Sequence, residues 1–328
     1  MSQDIKRIAV MTSGGDAPGM NAAIRAVVRA GSYHNLHVYG IHGGYEGMIH
    51  GDIERLERRT VGNIIHRGGT FLKTARSQAF RTEEGRRHAH DSLLAHDIDA
   101  LVVIGGNGTY TGGMLFGEEF DMPVVGVPGT IDNDICGTDL TIGYDTAVNT
   151  AMECVDRIRD TAASHSRTFF VEVMGRHSGF IALSTAVATG SGRVLIPESD
   201  EGALESMIRF LRKSQKRKKR FSLIIVAEGN PHGGAQEIAD KVGAAIPDME
   251  ARVAIIGHLQ RGGSPSRLDR ILASRLGYGA VDGLIRGQRG VAVGLVNDRI
   301  LYTPFAKAID EGKALNEEML RLAEILAL

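Results

Sequence analysis

Nine short apolar runs rich in β-branched residues recur along this chain, and longer helical patterns lie between most of them. The runs occupy 7–12, 37–42, 100–105, 123–128, 168–174, 193–197, 222–228, 252–258 and 291–296. They are apolar almost throughout, the pattern of strands covered on both faces. Helical patterns cover 18–31, 82–96, 143–160, 178–190, 202–219, 234–245 and 267–286. In the third of these, Ala147, Val148, Ala151, Val155 and Ile158 recur at helical spacing. Strand-then-helix repetition predicts doubly wound, mostly parallel α/β sheets. Nine strands over 328 residues fit two Rossmann-like layers better than one.

Composition removes several alternatives. A hydrophobic content of 43% is ample for buried cores, and a net charge of −1 gives no global attraction to nucleic acid or membrane. Cys136 and Cys154 are the only cysteines and lack CxxC spacing. Neither a disulfide framework nor a zinc–thiolate site is expected, and a reducing cytoplasm fits. The opening MSQDIKRIAVM has no long apolar stretch, and no run reaches transmembrane length.

Two glycine-rich turns follow strands. TSGGDAPGMNAA, 12–23, turns at Gly14 and Gly15 and starts a helix at Pro18, where a missing N–H costs nothing. Gly14 and Gly19 have the Walker A spacing, but Met20 and Asn21 stand where Lys and Ser/Thr are required, which excludes a P-loop ATPase. Alone, this turn reads equally as a phosphate cradle or an ordinary loop. VVIGGNGTYTGG, 102–113, brings Gly105, Gly106 and Gly108 to a helix-like stretch, an arrangement that sets backbone N–H groups against a phosphate. The Mg²⁺ that accompanies a nucleotide prefers carboxylate oxygen, yet the polar side chain among these glycines is the amide of Asn107. The Gly106–Gly112 spacing, with Asp132 beyond it, also leaves a dinucleotide oxidoreductase open.

PGTIDNDICGTD, 128–139, sets Asp132 and Asp134 two apart at a strand's carboxyl end, where open α/β sheets bind ligands. Phosphoryl transfer to a hydroxyl needs such a carboxylate to accept the proton, although Asx turns alone also use these residues. Arg176 and Arg261 each stand just past a strand, while Arg167 and Arg252 stand at the entering ends of the same two strands. The entering pair would lie far from a site shared by the other two within one subunit, but in reach of a neighbour's. Arg25 and Arg29 repel across one helical turn, Arg58 and Arg59 form another basic pair, and RKSQKRKKR, 212–220, ends a helix as a solvated face or an anion site.

Taken in order, TSGGDAPGMNAAIR, GGTFLKTAR, VIGGNGT, PGTIDND, VEVMGR, AEG and GHLQRGGSP resemble the 6-phosphofructokinases up to about residue 300. The resemblance implies two Rossmann-like domains with the active site between them: an ATP-binding domain from 1–143 plus 258–306, and a fructose 6-phosphate domain from 144–257 plus 307–328. It implies transfer of the ATP γ-phosphoryl to the 1-hydroxyl of fructose 6-phosphate. Asp132 then acts as general base with Asp134 beside it near Mg²⁺, and Thr130 binds substrate or the moving phosphoryl. The Gly15 N–H, Arg76 and Arg176 would stabilise the transferring charge. Met174, Gly175 and Glu228 would contact the sugar. His258 and Arg261 would hold its 6-phosphate, joined by Arg167 and Arg252 from a second subunit of a homotetramer. Tyr45, Arg76, Ser77, Arg81 and the Gly106–Asn107–Gly108–Thr109 loop would hold ATP.

Relatives that use pyrophosphate carry Asp at the position of Gly108 and Lys at that of Gly129. Both are glycine here, which implies ATP as donor. The family's metal-binding Asp is Asn107, an oxygen without the charge; Asp132 and Asp134 remain as metal ligands. Arg25, Arg29, Arg58, Arg59, Arg159, Arg217 and Lys219 resemble an effector phosphate site, but Gly192 replaces the Glu that binds the effector's metal, and Arg59 replaces an aromatic. A catalytically weak sugar-phosphate sensor is the alternative that Asn107 motivates.

Overall fold

The computed structural model describes residues 5–165, 167–199, 202–217 and 221–327. In chain order its elements are β1 (Arg7–Thr12), α1 (Met20–Tyr33), β2 (His37–Ile41), α2 (Gly44–His50), β3 (Ile53–Leu56), α3 (Glu83–Leu94), β4 (Ala100–Gly105), α4 (Asn107–Phe120), β5 (Val124–Pro128) and α5 (Tyr144–His165). There follow β6 (Thr168–Val173), α6 (Phe180–Thr189), β7 (Arg193–Leu195), α7 (Ala203–Lys216), β8 (Ser222–Ala227), α8 (Ala235–Ala245), β9 (Ala251–Ile255), α9 (Arg267–Ile285), β10 (Val291–Val296), β11 (Arg299–Pro304), α10 (Phe305–Asp310) and α11 (Glu317–Leu326). Single 3₁₀ turns cover Ala79–Arg81 and Gly257–Arg261.

The chain forms two compact units. The first comprises Met1–Ile131, Ile135–Thr146 and Arg261–Lys313. Its sheet runs β11-β10-β5-β4-β1-β2-β3, with the five inner strands parallel and β3 and β11 antiparallel at the edges. Alternate residues of each inner strand face opposite sides, so Ala9, Met11, Leu101 and Val103 pack with Met48, Tyr110, Phe116 and Phe305 on one side. α1 and α9 lie along one another, and Gly277 permits the approach: a Cβ there would meet the Ala23 carbonyl at 2.7 Å.

The second unit comprises Asp132–Asp134, Ala147–Gln260 and Ala314–Leu328. Its four strands, ordered β7-β8-β6-β9, are all parallel. Phe170, Ile224 and Val226 pack against Leu204, Met207 and Leu211 of α7 and Ile238 and Val242 of α8. No described helix is long and apolar enough to cross a membrane.

Among the described residues, eleven strands stand where nine were expected. β3 and β11 lack a continuous apolar run because an edge strand buries less of itself than a central one. α4 carries Gly108, Gly112, Gly113 and Gly117, residues that disfavour helix. Gly112 is needed there because a Cβ would stand 2.9 Å from the Tyr45 ring. The chain passes between units at 131/132, 134/135, 146/147, 260/261 and 313/314. The expected borders were 143/144, 257/258 and 306/307. One cause is Asp269, fully buried in α9's first turn. It accepts Gly143 N–H at 2.8 Å, Thr146 N–H at 2.8 Å and the Thr146 hydroxyl at 2.5 Å, tying the start of α5 to the first unit.

Asp269→Ala strands those donors and should cost about 3 kcal/mol, on the scale of buried unsatisfied groups. Burial raises the Asp269 pKa, so the folded chain holds its proton more tightly than the unfolded one. That contribution is full below the ordinary value of 3.8 and declines as pH rises from there through the raised folded value. Urea unfolding across a pH series should show the gap between parent and variant narrowing over that window and constant above it.

Candidate active site

In the first unit the chain leaves β1 toward β2 on one side, and β4 toward β5 on the other. The order therefore reverses between β1 and β4, where a parallel sheet opens a crevice at its carboxyl ends. Three loops meet there. The Ser13 N–H donates to Ile104 O at 3.0 Å, the Thr109 hydroxyl to Ser13 O at 3.1 Å, and the Gly129 N–H to Gly105 O at 3.0 Å. Thr130 is buried, its Cβ 3.6 Å from where a Cβ on Gly106 would stand. The Arg261 guanidinium donates to Asp16 O at 3.1 Å and lies against Gly15, where it would collide with a Cβ. Gly15, Gly106, Thr130 and Arg261 are thus brought together.

The stretch after β3 closes on the first loop. Thr74 donates to Gly14 O at 2.8 Å, and the Thr12 hydroxyl to Lys73 O at 2.8 Å. Asn21, which occupies the Walker hydroxyl position, is a loop clamp: its amide nitrogen donates to Arg67 O and Gly68 O, both at 3.1 Å, and its oxygen accepts Phe71 N–H at 2.6 Å. Arg76 and Arg81 are exposed.

Three nucleotide candidates point inward instead. Tyr45 is buried, stacked on Phe80 at 3.9 Å, with its hydroxyl on Thr109 O at 2.6 Å; burial pushes its pKa up. Thr109's hydroxyl is spent on Ser13. Ser77 accepts Phe80 N–H at 3.1 Å and lowers the Glu46 pKa by hydrogen bonding to it. These side chains hold the loops in place, whereas those of Arg76 and Arg81 are exposed.

Sequence reasoning missed the residue that fixes this segment. Arg86 is buried in α3, paired with both Glu119 oxygens at 2.6 Å, and donates to Phe80 O at 3.1 Å and Arg81 O at 2.9 Å. Glu119 belongs to α4, so one guanidinium ties the 79–81 turn to the helix that begins at Asn107. Only a bidentate fork can serve four oxygens in this way. The RR pair at 86–87 was the available signal, and nothing local says which arginine turns inward.

In the second unit, β6, β8 and β9 bring Met174–Arg176, Glu228 and His258 to one sheet end. One Glu228 oxygen accepts Arg176 N–H at 2.7 Å and Gly175 N–H at 3.3 Å, fixing a turn in which Arg176 adopts φ 51°. Asp132 is buried, and the Ser178 hydroxyl donates to its carbonyl at 2.8 Å. Asn133 takes φ 55° between Asp132 and Asp134, an Asx-type conformation. Gln260, fully buried and not singled out beforehand, accepts Met174 N–H at 2.9 Å. Arg167 and Arg252 sit at the opposite sheet end, sharing Glu250 at 2.8 and 2.6 Å. Six residues of strand put them about 20 Å from Arg176, at 3.3 Å per residue.

Among the described residues no cluster of three His, Cys, Asp or Glu could hold a metal. Asp132 and Asp134 offer two carboxylates of the hard-oxygen kind that Mg²⁺ takes, an ion that usually keeps several waters and needs only one or two such ligands. Of the effector candidates, Arg29 reaches Arg58 O at 3.5 Å, Arg59 pairs with Glu57 at 2.8 Å, and Arg159 donates to Thr189 O. Arg25 is half-buried, Arg217 is exposed at the end of α7, and Lys219 lies outside the described residues.

The phosphofructokinase family model matches residues 7–284. The chain is 53% identical to an ATP-dependent 6-phosphofructokinase of Cytophaga hutchinsonii over 98% of each. It is 54% identical to ATP-dependent 6-phosphofructokinase 1 of Thermus thermophilus, over 99% of this chain and all of that one. The solved phosphofructokinase of Saccharomyces cerevisiae superposes with a TM-score of 0.89 at 36% identity; the match spans 98% of this chain and 48% of the yeast one.

Arg86→Ala would leave Glu119 and two carbonyls unserved, and breaking a part-buried pair of this kind costs about 3–5 kcal/mol. Amide exchange should quicken first across 79–85, while β1 and β4 keep their protection.

Proposed function

This chain belongs to the phosphofructokinase family, and on that premise we infer that it transfers the γ-phosphoryl of ATP to the 1-hydroxyl of fructose 6-phosphate. The observation that carries the reading furthest is the meeting of Gly15, Gly106 and Thr130 at the carboxyl ends of β1, β4 and β5. A first helical turn and a glycine loop together offer N–H groups to phosphate oxygens. The dinucleotide reading lapses with the family.

Asp132 accepts the proton of the 1-hydroxyl as that oxygen attacks, a role that matters more than covalent chemistry in phosphoryl transfer. Its burial favours a directed carboxylate over a solvated one. The Gly15 N–H, Arg76 and Arg176 carry the charge that develops on the transferring group. Glu228 orients Gly175 and Arg176, and Gln260 orients Met174, so the sugar-side backbone is set before substrate arrives. Asp132 and Asp134 would hold the magnesium that accompanies ATP; when bound, it neutralises phosphate charge. Asn107 would add an amide oxygen, without the charge of an Asp.

Donor choice rests on two glycines. The Cβ position of Gly108 has nothing within 4 Å, open space that a larger side chain would fill. At Gly129 a Cβ would stand 2.9 Å from Ile104 and 3.2 Å from Met20. A coupled assay should give turnover with ATP and none with pyrophosphate, and Asp132→Asn should lose about 10²–10⁴-fold in kcat, the usual worth of a general base. Equal rates with both donors, or a fully active Asp132→Asn, would overturn the reading.

The enzyme acts as a cytoplasmic homotetramer in which Arg167 and Arg252 complete a neighbour's fructose 6-phosphate site. Their distance from Arg176 along β6 supports this. Arg252→Ala should raise the KM for fructose 6-phosphate and leave that for ATP nearly unchanged. Mixed oligomers with Arg261→Ala should regain part of the lost activity, because the two defects sit on different subunits and leave some shared sites intact; no recovery in verified mixtures would refute sharing.

A further inference from the structure

A cavity of about 560 Å³ opens in the second unit between α7 and the last helix, α11. It arises because α11 packs on α6 and β7 rather than on α7, so the two helices stand apart over the strand that both touch. None of the residues of α11 is buried; Leu320 and Ala323, which line the cavity, are only half-covered. Val194 and Ala203 are half-covered on the facing walls. The volume is that of a small-molecule site, and so is the make-up, an apolar lining with few polar groups.

Most of the polar groups around it are already engaged. Glu198 accepts Gly179 N–H at 3.0 Å, the Ser199 hydroxyl accepts Ile196 N–H at 3.1 Å, and Ser191 shares a hydrogen bond with Thr189 at 2.7 Å. Arg193 is drawn over the Phe210 ring, 4.7 Å from its centroid. Among the described residues, the Ser206 hydroxyl, the Arg209 guanidinium and the Glu324 carboxylate are left uncommitted. Ser206 and Arg209 stand one turn apart on α7, and Glu324 stands one turn beyond Leu320 on α11. Arg209 and Glu324 are exposed, so a cation and an anion from different helices rim an apolar interior. A simple anion would be repelled by Glu324, and a simple cation by Arg209. A ligand that carries both charges and an apolar tail satisfies all three features.

We propose that this cavity binds an α-amino acid with a large apolar side chain. The ligand's carboxylate takes the Arg209 guanidinium and the Ser206 hydroxyl, and its ammonium takes Glu324. Its side chain covers Val194, Ala203, Leu320 and Ala323. Bound in this way it bridges α7 and α11 and buries apolar surface that is otherwise open, which holds α11 more firmly. The proposal is independent of the catalytic reading: Ser206, Arg209 and Glu324 belong neither to the catalytic residues nor to the effector set that the family resemblance implies.

Calorimetric titration with L-leucine and with L-phenylalanine should show at least one of them binding saturably, one molecule per chain. Amide exchange across Glu317–Leu326 should slow in its presence. The N-acetyl and carboxamide derivatives each lack one charge and should bind about tenfold more weakly or worse, the scale of a lost charge-assisted hydrogen bond. Glycine, without an apolar side chain, should not bind measurably. Arg209→Ala and Glu324→Gln alter exposed side chains, so the circular dichroism should stay unchanged while each weakens the parent amino acid about tenfold. Failure of both amino acids to bind saturably, unchanged exchange in α11, or equal binding of glycine or a derivative would each overturn the proposal. So would an affinity that either substitution leaves unmoved.

Discussion

Parallel pairing in the first unit's sheet imposes the constraint on which the rest depends. Because β1, β4 and β5 run the same way, their following loops emerge at one end, and their backbone groups must find partners there. Leaving a buried N–H or carbonyl without one costs about 1–3 kcal/mol. The loops satisfy each other: Thr109 serves Ser13, and Gly129 serves Gly105. The crevice is consequently framed by backbone already held in position, with glycine where a Cβ would meet a neighbouring loop, as at Gly105 against Thr109 and Ser13.

The same economy explains where the arginines went. Arg86 spends its fork on four protein oxygens, and Arg261 lies on the Gly15–Asp16 turn. Arg167 and Arg252 share one carboxylate at the far end of their sheet. An inward arginine thus sets a loop, while Arg76 and Arg81 stay exposed.

Much of the candidate site was readable because its residues lie in short ordered motifs directly after apolar runs, as with PGTIDND and VEVMGR. Tyr45, Ser77 and Thr109 were nucleotide candidates by the same resemblance, yet they turn inward to hold the loops. A motif fixes the neighbourhood of a residue but not the direction of its side chain, which depends on partners distant in sequence. Thr109 lies 96 residues from its acceptor Ser13. Arg86 and Gln260 escaped notice for the same reason, being buried polar groups with partners remote in sequence, the Glu119 carboxylate and the Met174 N–H.

The sequence alone determined the alternation of strands and helices, the parallel α/β class and the order of the motifs, because hydrophobic period reports local burial. It also carried both glycines that bear on donor choice. Strand order was decided only in three dimensions, since β4 inserts between β1 and β5 by non-local pairing. The edge strands β3 and β11 likewise needed neighbours to define them. The glycine-rich helix α4 formed because close packing on Tyr45 outweighs its poor propensity. What a residue touches follows from that packing, and neither spacing nor composition encodes it.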